Sequence, residues 1–324
     1  MKPVFKALGL ASALALAASG ALAQGYPTKP IRFVTGNLPG GGTDALARIV
    51  GPKLGERLGQ TVIVENRPGA EGIIASEYVA KSAADGYTLL VGADSQMVLN
   101  VGLHAKLPYD PVADFAPITR ISAAPLMIAV HPSLPVASIK ELVALAKSKP
   151  GELFYASGAA VFRVTTEFFK AQTGIDIVPV PYKGAAPAVA ALIAGDVQIA
   201  VVSIGPLLPQ LRAGKVRGLA VASLTRIPLL PDTPTMEESG LPGFQAVPWT
   251  GLFAPAATPR AVIDLLNSEV NAVLNLNEIK DAFAARAVLL GGTTPEEMTA
   301  LLKADLAKWP KLLKELQVRS GERR

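Results

Sequence analysis

Short apolar runs rich in β-branched residues alternate along this chain with longer stretches of helical periodicity, and this alternation restricts the fold more than any other feature. The first runs lie at 31–35, 61–65 and 87–91, with helical patterns at about 43–58 and 72–82 between them. Further strand candidates lie at 153–156, 177–180, 197–202 and 218–222, separated by helical patterns near 164–172, 187–194 and 207–213. This order is typical of an α/β fold, with mainly parallel sheets flanked by helices.

Two helix starts carry a capping box. Ser138 with Glu141, and Thr294 with Glu297, each place a hydroxyl residue three positions before a glutamate. In this motif the hydroxyl accepts from the backbone N–H of the glutamate, while the carboxylate reaches back to the start of the helix. The sequence therefore predicts helices that begin directly after Ser138 and after Thr294.

Two proline-bounded stretches, 117–135 and 228–255, interrupt the alternation. We interpret both as irregular crossings between two lobes. Two crossings place the middle of the chain in a lobe that is inserted into the first one, so that the C-terminal helices pack back on the N-terminal lobe. The predicted division assigns residues 24–122 and 248–324 to the first lobe and residues 123–247 to the second.

The N-terminal segment has the pattern of a secretory signal peptide. Lys2 and Lys6 precede an apolar run at 8–18, and small residues at 21–23 offer a cleavage site, so residues 1–23 are predicted to be removed. The apolar run is too short to span a bilayer. We expect an exported, periplasmic protein that is not embedded in the membrane.

Composition excludes several classes of site. The chain has no cysteine, which excludes disulfides, thiol catalysis, zinc–thiolate sites and iron–sulfur clusters. Its two histidines, His104 and His131, lie far apart in sequence, and no nucleophile elbow or His-Glu-x-x-His motif occurs. The formal net charge of +5 includes the two lysines of the signal segment, and no basic cluster suggests nucleic-acid binding. We therefore expect no metal, no cofactor, no nucleic-acid partner and no enzymatic activity.

A glycine-rich turn between the first strand and the first helix is the most informative motif. It consists of Leu38, Pro39, Gly40, Gly41, Gly42, Thr43 and Asp44. Glycines let a ligand approach the backbone, and the amides of Gly41, Gly42 and Thr43 could face an anion at the N-terminus of the helix. A tight turn capped by Thr43 or Asp44 explains the same residues equally well.

A second strand-to-helix junction repeats this pattern. It begins with the small residues Ser157, Gly158, Ala159 and Ala160 and continues to Arg163. Arg163 could pair with a ligand carboxylate through two hydrogen bonds, or it could be a surface residue paired with Glu167 one helical turn on. Tyr182 and Lys183 follow another strand, where loops of open α/β sheets converge on a crevice, although a lone lysine is more often a surface charge.

Nine sequence strings, in order along the chain, resemble the Bug receptors, the extracytoplasmic solute-binding proteins of tripartite tricarboxylate transporters. The strings are YPTKPI (26–31), LPGGGTD (38–44), VENRPG (64–69), DGYTL (85–89), YDP (109–111), DFAP (114–117), VPYKG (180–184), PDTPT (231–235) and Trp249. Each is weak alone, but the ordered combination is specific. The resemblance implies a two-lobed, type II-like periplasmic binding protein that closes like a Venus flytrap.

The resemblance also implies a function and a site. A receptor of this kind captures a small carboxylate in the interlobe cleft and delivers it to membrane transporter subunits, and a monomer is expected. The family's ligand loops match 38–44 and 157–160. Further expected ligand-binding residues are Ala93, Asp94, Ser95, Arg163, Tyr182, Lys183, Ser203 and Trp249. Two alternatives remain open, a receptor that presents its ligand to a membrane sensor kinase and a secreted enzyme on a bilobal scaffold.

Two departures from the family pattern bear on the ligand. Many members carry an aspartate where this chain has Val202, and an acidic residue there could hold a ligand ammonium group. Arg163 adds a positive charge at the second junction. Together they favour a dicarboxylate, or a carboxylate with an apolar or aromatic body, over an amino acid.

Overall fold

The computed structural model describes residues 25–158 and 160–315. The predicted signal peptide and Ala159 lie outside the described residues. The strands are β1 (Ile31–Thr35), β2 (Val62–Asn66), β3 (Thr88–Ala93), β4 (Phe115–Ala123), β5 (Leu126–Val130), β6 (Phe154–Ser157), β7 (Val178–Pro181), β8 (Ile199–Ser203), β9 (Arg217–Val221), β10 (Trp249–Pro255) and β11 (Leu289–Leu290). They form one six-stranded sheet, in the order β11-β4-β10-β3-β1-β2, and one five-stranded sheet, in the order β7-β6-β8-β5-β9.

Helices flank both sheets. They are α1 (Gly42–Leu58), α2 (Ile73–Ala80), α3 (Asn100–Leu103), α4 (Ile139–Ser148), α5 (Ala160–Thr173), α6 (Ala185–Ala194), α7 (Ile204–Arg212), α8 (Arg260–Leu274), α9 (Asn277–Ala284) and α10 (Pro295–Glu315). A 3₁₀ turn covers Ala70–Gly72 and a π-helical segment covers Ser95–Leu99. The α/β class and the two-lobed architecture expected from the sequence are confirmed.

Both sheets are mixed, which corrects the prediction of mainly parallel sheets. In the first sheet β1 pairs in parallel with β2 and β3, whereas β10 is antiparallel to β3 and β4. In the second, β6 pairs in parallel with β7 and β8, whereas β5 is antiparallel to β8 and β9. The reason is topological: the chain leaves the first sheet through β4 and returns through its neighbour β10, so these strands run in opposite directions.

The prediction of irregular structure throughout 117–135 is wrong, because this stretch contains most of β4 and all of β5. Every residue of Leu126–Val130 is buried, so the strand has no polar alternation that would reveal it in the sequence. The chain passes between the sheets at 124–125 and again at 222–248. The exact lobe boundaries given above stay a prediction.

Each sheet packs against helices in its own buried apolar core, and both predicted capping boxes are confirmed. The Ser138 hydroxyl accepts from the Glu141 N–H at 3.2 Å, and the Thr294 hydroxyl accepts from the Glu297 N–H at 3.1 Å. A smaller buried cluster joins the π-helical segment and α3 to α5 and α10. Its members are Leu99, Leu103, Val164 and Leu313. Burial of one such side chain stabilises the folded state by about 1.5–3 kcal/mol. Because its members come from both lobes, this cluster brings the two lobes into contact.

Candidate functional site

Three loops of the first lobe meet at one edge of its sheet, because β1, β2 and β3 are parallel and end on the same side. Gln96, after β3, holds the loops together: its Nε2 donates to Gly72 O at 3.0 Å, and its Oε1 accepts from the Ala93 N–H at 3.0 Å. A Cβ on Gly36 would lie 2.6 Å from the Gly72 Cα, so the first two loops approach this closely only because residue 36 is glycine.

Two loops of the second lobe are joined in a similar way. The Tyr182 N–H donates to Ser157 O at 2.9 Å, and the Gly184 N–H donates to Gly158 O. Directly after this junction α5 begins at Ala160. The structure therefore brings the 157–160 junction and the 182–183 loop together, as expected for loops that follow adjacent parallel strands.

A cavity of about 260 Å³ lies between the first-lobe loops and the start of α5, and it is called the interlobe cavity here. It is lined by Gly36, Asn37, Gly69, Glu71, Gly72, Ala93, Ser95, Gln96, Asn100, Leu103, Ala160 and Val161. A concave, partly apolar space with a few polar groups is typical of a small-molecule site. It is the candidate ligand site of this chain, because residues that follow the parallel strands β1, β2 and β3 line it together with α5.

Sequence reasoning found part of this wall and missed the rest. Ala93, Ser95 and Ala160 line the interlobe cavity as expected. The polar lining residues that were missed are Asn37, Glu71, Gln96 and Asn100. Asn37 directly precedes the glycine-rich loop, and this position could have indicated from the sequence that it lies at the site. The other three lie outside the glycine-rich motifs, and only the meeting of the loops places them at the cavity.

The glycine-rich loop does not line the interlobe cavity, which corrects the expectation that residues 38–44 form its wall. The Gly41 N–H donates to Leu38 O at 2.9 Å, and the Thr43 N–H donates to Asn37 Oδ1 at 3.1 Å. These two amides are therefore engaged by the chain itself rather than turned towards a ligand. Within the part of the chain that the structure describes, the Gly42 amide has no such partner.

Asp44 is a buried capping residue rather than a ligand contact. Its carboxylate accepts from the Gly40 N–H at 2.8 Å, from Arg48 Nε at 3.0 Å and from Asn66 Nδ2 at 2.8 Å. Burial by itself would raise the pKa of Asp44, but the Arg48 hydrogen bond, followed by those of Gly40 and Asn66, holds it below its ordinary value. The capped-turn interpretation of this loop is the one that the structure supports.

Asp94 and Trp249 line a second cavity of about 240 Å³, which α10 and α5 both border, and their expected contact with the ligand stays a prediction. Trp249 Nε1 donates to Asp305 Oδ2 at 2.7 Å. Burial raises the pKa of Asp94 to about 7, the hydrogen bond from the Ser95 N–H opposes this rise, and the nearby Asp305 carboxylate adds to it. Ser95, the next residue, lines the interlobe cavity instead.

Asp94→Asn is expected to stabilise the protein in a pH-dependent way. Because the folded-state pKa lies above the ordinary value near 4, the ionised carboxylate destabilises the fold increasingly as pH rises from about 4 to 7. Asparagine keeps an acceptor for the Ser95 N–H and removes the charge. We expect a gain of about 1–2 kcal/mol in the free energy of unfolding at pH 8 and almost none at pH 4, measured by urea denaturation.

Asp232→Asn, at an exposed position, is the matched control for this experiment and should change the free energy of unfolding by no more than about 0.5 kcal/mol. An equal gain for Asp94→Asn at both pH values would contradict the assigned cause, because only an ionising group can make the gain depend on pH.

The remaining expected residues lie outside both cavities. Arg163 is near Tyr155, whose hydroxyl donates to Glu167 Oε1 at 2.8 Å. Arg163 lines neither cavity, and its expected contact with the ligand stays a prediction. Lys183 is exposed, and Ser203 directly precedes α7. Tyr182 is half-buried; like the other residues named here, it does not line either cavity.

Comparison with known proteins agrees with this architecture. The family model of the tripartite tricarboxylate transporter family receptor matches residues 46–318. Protein BugT of Bordetella pertussis is 35% identical over 318 residues, covering 97% of this chain and 98% of that protein. The solved structure of R. palustris Rpa4515 with adipate is 36% identical, with a TM-score of 0.79, and covers 90% of this chain and 98% of that one. MatC from Rhodopseudomonas palustris with bound malate is 31% identical, with a TM-score of 0.76, over 89% and 100% of the two chains.

Two mixed sheets, each flanked by helices, with a cavity between the lobes define a periplasmic binding protein fold. The chain belongs to the tripartite tricarboxylate transporter receptor family, and its resemblance to the Bug receptors is confirmed. This is a family of periplasmic solute-binding receptors rather than of enzymes. Within the described ranges, no helix combines the length and apolar character that crossing a membrane requires.

Proposed function

We propose that this protein captures a small carboxylate in the interlobe cavity and delivers it to the membrane subunits of a tripartite tricarboxylate-type transporter. The observation that carries the proposal is the composition of the cavity wall, to which both lobes contribute. Rpa4515 with adipate and MatC with bound malate support the carboxylate class, since both share the fold and about a third of the sequence. An exported chain freed of residues 1–23 is part of this proposal.

The physical basis of capture is the arrangement of donors around the cavity. Ala160 and Val161 belong to the first turn of α5, where unpaired N–H groups and the helix dipole favour a carboxylate. Ser95 brings a hydroxyl group from the first lobe. Because the donors come from both lobes, a ligand binds more tightly when the lobes are closed, and binding therefore shifts the population towards the closed form. The closed form is the one that docks on the transporter.

The preference for a dicarboxylate or an apolar acid over an amino acid stays a prediction. It was based on Val202 and Arg163, and neither residue lines the interlobe cavity. Val202 is fully buried in β8, paired with Met127 of β5. The cavity wall itself is therefore the better guide to ligand charge.

Thermal unfolding against a panel of carboxylates tests the proposal. The panel contains citrate, C4–C6 dicarboxylates, benzoate, nicotinate, terephthalate, glutamate and aspartate, each at millimolar concentration. A ligand at 100 times its Kd stabilises the folded state by about 2.7 kcal/mol, which raises the Tm by several degrees. A flat panel, repeated after unfolding, dialysis and refolding to remove retained ligand, would contradict the proposal.

A variant of the cavity wall makes the test specific. Ala160→Leu adds three carbon atoms at the wall and is expected to abolish the ligand-induced rise in Tm. Ala171→Leu, at an exposed position of the same helix, is the matched control and should keep the rise. Equal responses from the two variants would place the ligand elsewhere.

A further inference from the structure

Glu71 gives the interlobe cavity its charge. Among the described residues that line the cavity, Glu71 alone carries a charged side chain, and that side chain is 42% exposed. The other lining residues are amides, a serine, glycines and apolar side chains. A ligand group that reaches this part of the wall therefore meets a carboxylate.

Glu71 occupies a backbone conformation that glycine adopts most readily. Its φ is +55°, and that of Ala70 is +45°. The Cβ atom of any residue other than glycine makes this left-handed region unfavourable, so Glu71 adopts a strained backbone conformation. The Glu71 carbonyl accepts from Asn100 Nδ2 at 3.3 Å, which helps to hold the turn. Unfavourable conformations of this kind concentrate where a side chain contacts a ligand.

His104 positions the Glu71 carboxylate. Its Nε2 lies 3.3 Å from Glu71 Oε2, and it directly follows α3, whose first residue, Asn100, contacts the Glu71 backbone. The two side chains come from loops 33 residues apart in sequence, so the pair is created by the fold.

The opposite side of the cavity is electropositive. It is formed by the start of α5, whose helix dipole is positive at this end. The exposed Lys183 lies in the loop that is hydrogen-bonded to the 157–158 junction just before this helix. A molecule with a carboxylate at one end and a cation at the other matches both sides of the cavity, whereas a dicarboxylate would place one of its charges against Glu71.

We propose that Glu71, oriented by His104, is an ammonium subsite, and that the ligand is an amino carboxylate whose carboxylate faces α5. This inference rests on the proposed capture of a carboxylate and specifies its second charged group. It opposes the expectation drawn from Val202 and Arg163.

Matched ligand pairs test the subsite by titration calorimetry on the refolded protein. In each pair an aminomethyl group replaces one carboxylate, which keeps the length similar: 4-aminobutyrate against succinate, and 6-aminohexanoate against adipate. We expect the native protein to bind the amino member of at least one pair roughly tenfold more tightly, the scale of a hydrogen bond to a charged group. Glu71→Gln should remove this preference, since it keeps the shape and loses the charge.

Glu77→Gln is the matched control, because it removes the same charge from α2, away from the interlobe cavity. A second variant, His104→Ala, removes the ring that orients the Glu71 carboxylate and should weaken the preference for the amino ligands. A native preference for the dicarboxylate in both pairs, or an unchanged ratio in Glu71→Gln, overturns the subsite and leaves the proposed function standing. Absence of binding by every carboxylate, including the thermal panel, overturns the proposed function as well.

Discussion

Asp44→Ala is expected to lower the free energy of unfolding by about 3 kcal/mol at pH 7, because it removes a buried, charged acceptor from three hydrogen-bond donors. The Asp44 side chain is 1% exposed and accepts from Gly40, Arg48 and Asn66. Alanine leaves the Gly40 and Asn66 N–H groups without their partner. Urea denaturation of the two proteins measures the difference.

The effect of Asp44→Ala should depend on pH. Since interactions in the folded state hold the pKa of Asp44 below its ordinary value, its stabilising contribution is complete above about pH 4, the unfolded-state pKa. The contribution is lost as pH falls through the lower folded-state pKa. The difference between native and variant should therefore narrow below pH 4, and a constant difference down to pH 2 would contradict the assignment.

Asp85→Ala is the matched control for Asp44→Ala. Asp85 pairs with Lys29 at 3.0 Å, but both side chains are about half exposed, at 41% and 57%. Exposed ion pairs contribute about 0–1 kcal/mol. A similar loss of stability in both variants would mean that burial of the capping carboxylate is not what matters.

Gly158→Ala is expected to destabilise the second lobe by about 2–3 kcal/mol and to abolish ligand binding. A Cβ at residue 158 would lie 2.3 Å from Gly184 O and 3.1 Å from Ala188 Cβ. The Gly184 backbone cannot withdraw easily, because its N–H donates to Gly158 O. Overpacking against backbone forces the two loops apart and displaces the start of α5. Thermal unfolding with and without a ligand from the panel measures both effects.

Gly42→Ala is the matched control for Gly158→Ala. A Cβ at residue 42 meets nothing within 4 Å, and the residue is the first of α1. Alanine there should lower the free energy of unfolding by no more than about 0.5 kcal/mol. A folded Gly158→Ala protein with the native Tm and native ligand response would show that this close approach does not build the site.

The strands and helices that sequence patterns predicted are those whose signal is local. The first three strands alternate with helices that have clear periodicity, and the capping boxes at Ser138 and Thr294 involve side chains three residues from their partners. β4, β5 and β10 were not predicted as strands; β5 and β10 are buried at every residue and so have no polar alternation. Their prolines, such as Pro117 within β4, further resembled those of an irregular crossing.

The candidate site was only partly predictable for a related reason. The rule that ligands bind beyond the carboxyl ends of parallel strands selected Ala93, Ser95 and Ala160, which line the interlobe cavity. The same rule selected the glycine-rich loop, but its Thr43 and Gly40 amides donate to Asn37, directly before the loop, and to Asp44, at its end. The sequence motif could not decide whether these amides bind a ligand or are hydrogen-bonded within the turn, because the same residues serve both arrangements.

The sequence by itself determined the α/β class, the helix starts and the receptor family, because each depends on residues close together in the chain or on an ordered set of short strings. Tertiary structure decided the strand directions, the separation of Asp94 and Trp249 from the interlobe cavity, and the charge of its wall. Glu71 and His104 meet there although they lie 33 residues apart. Sheet order and register bring such loops together through many weak long-range contacts, and no single segment of sequence carries that information.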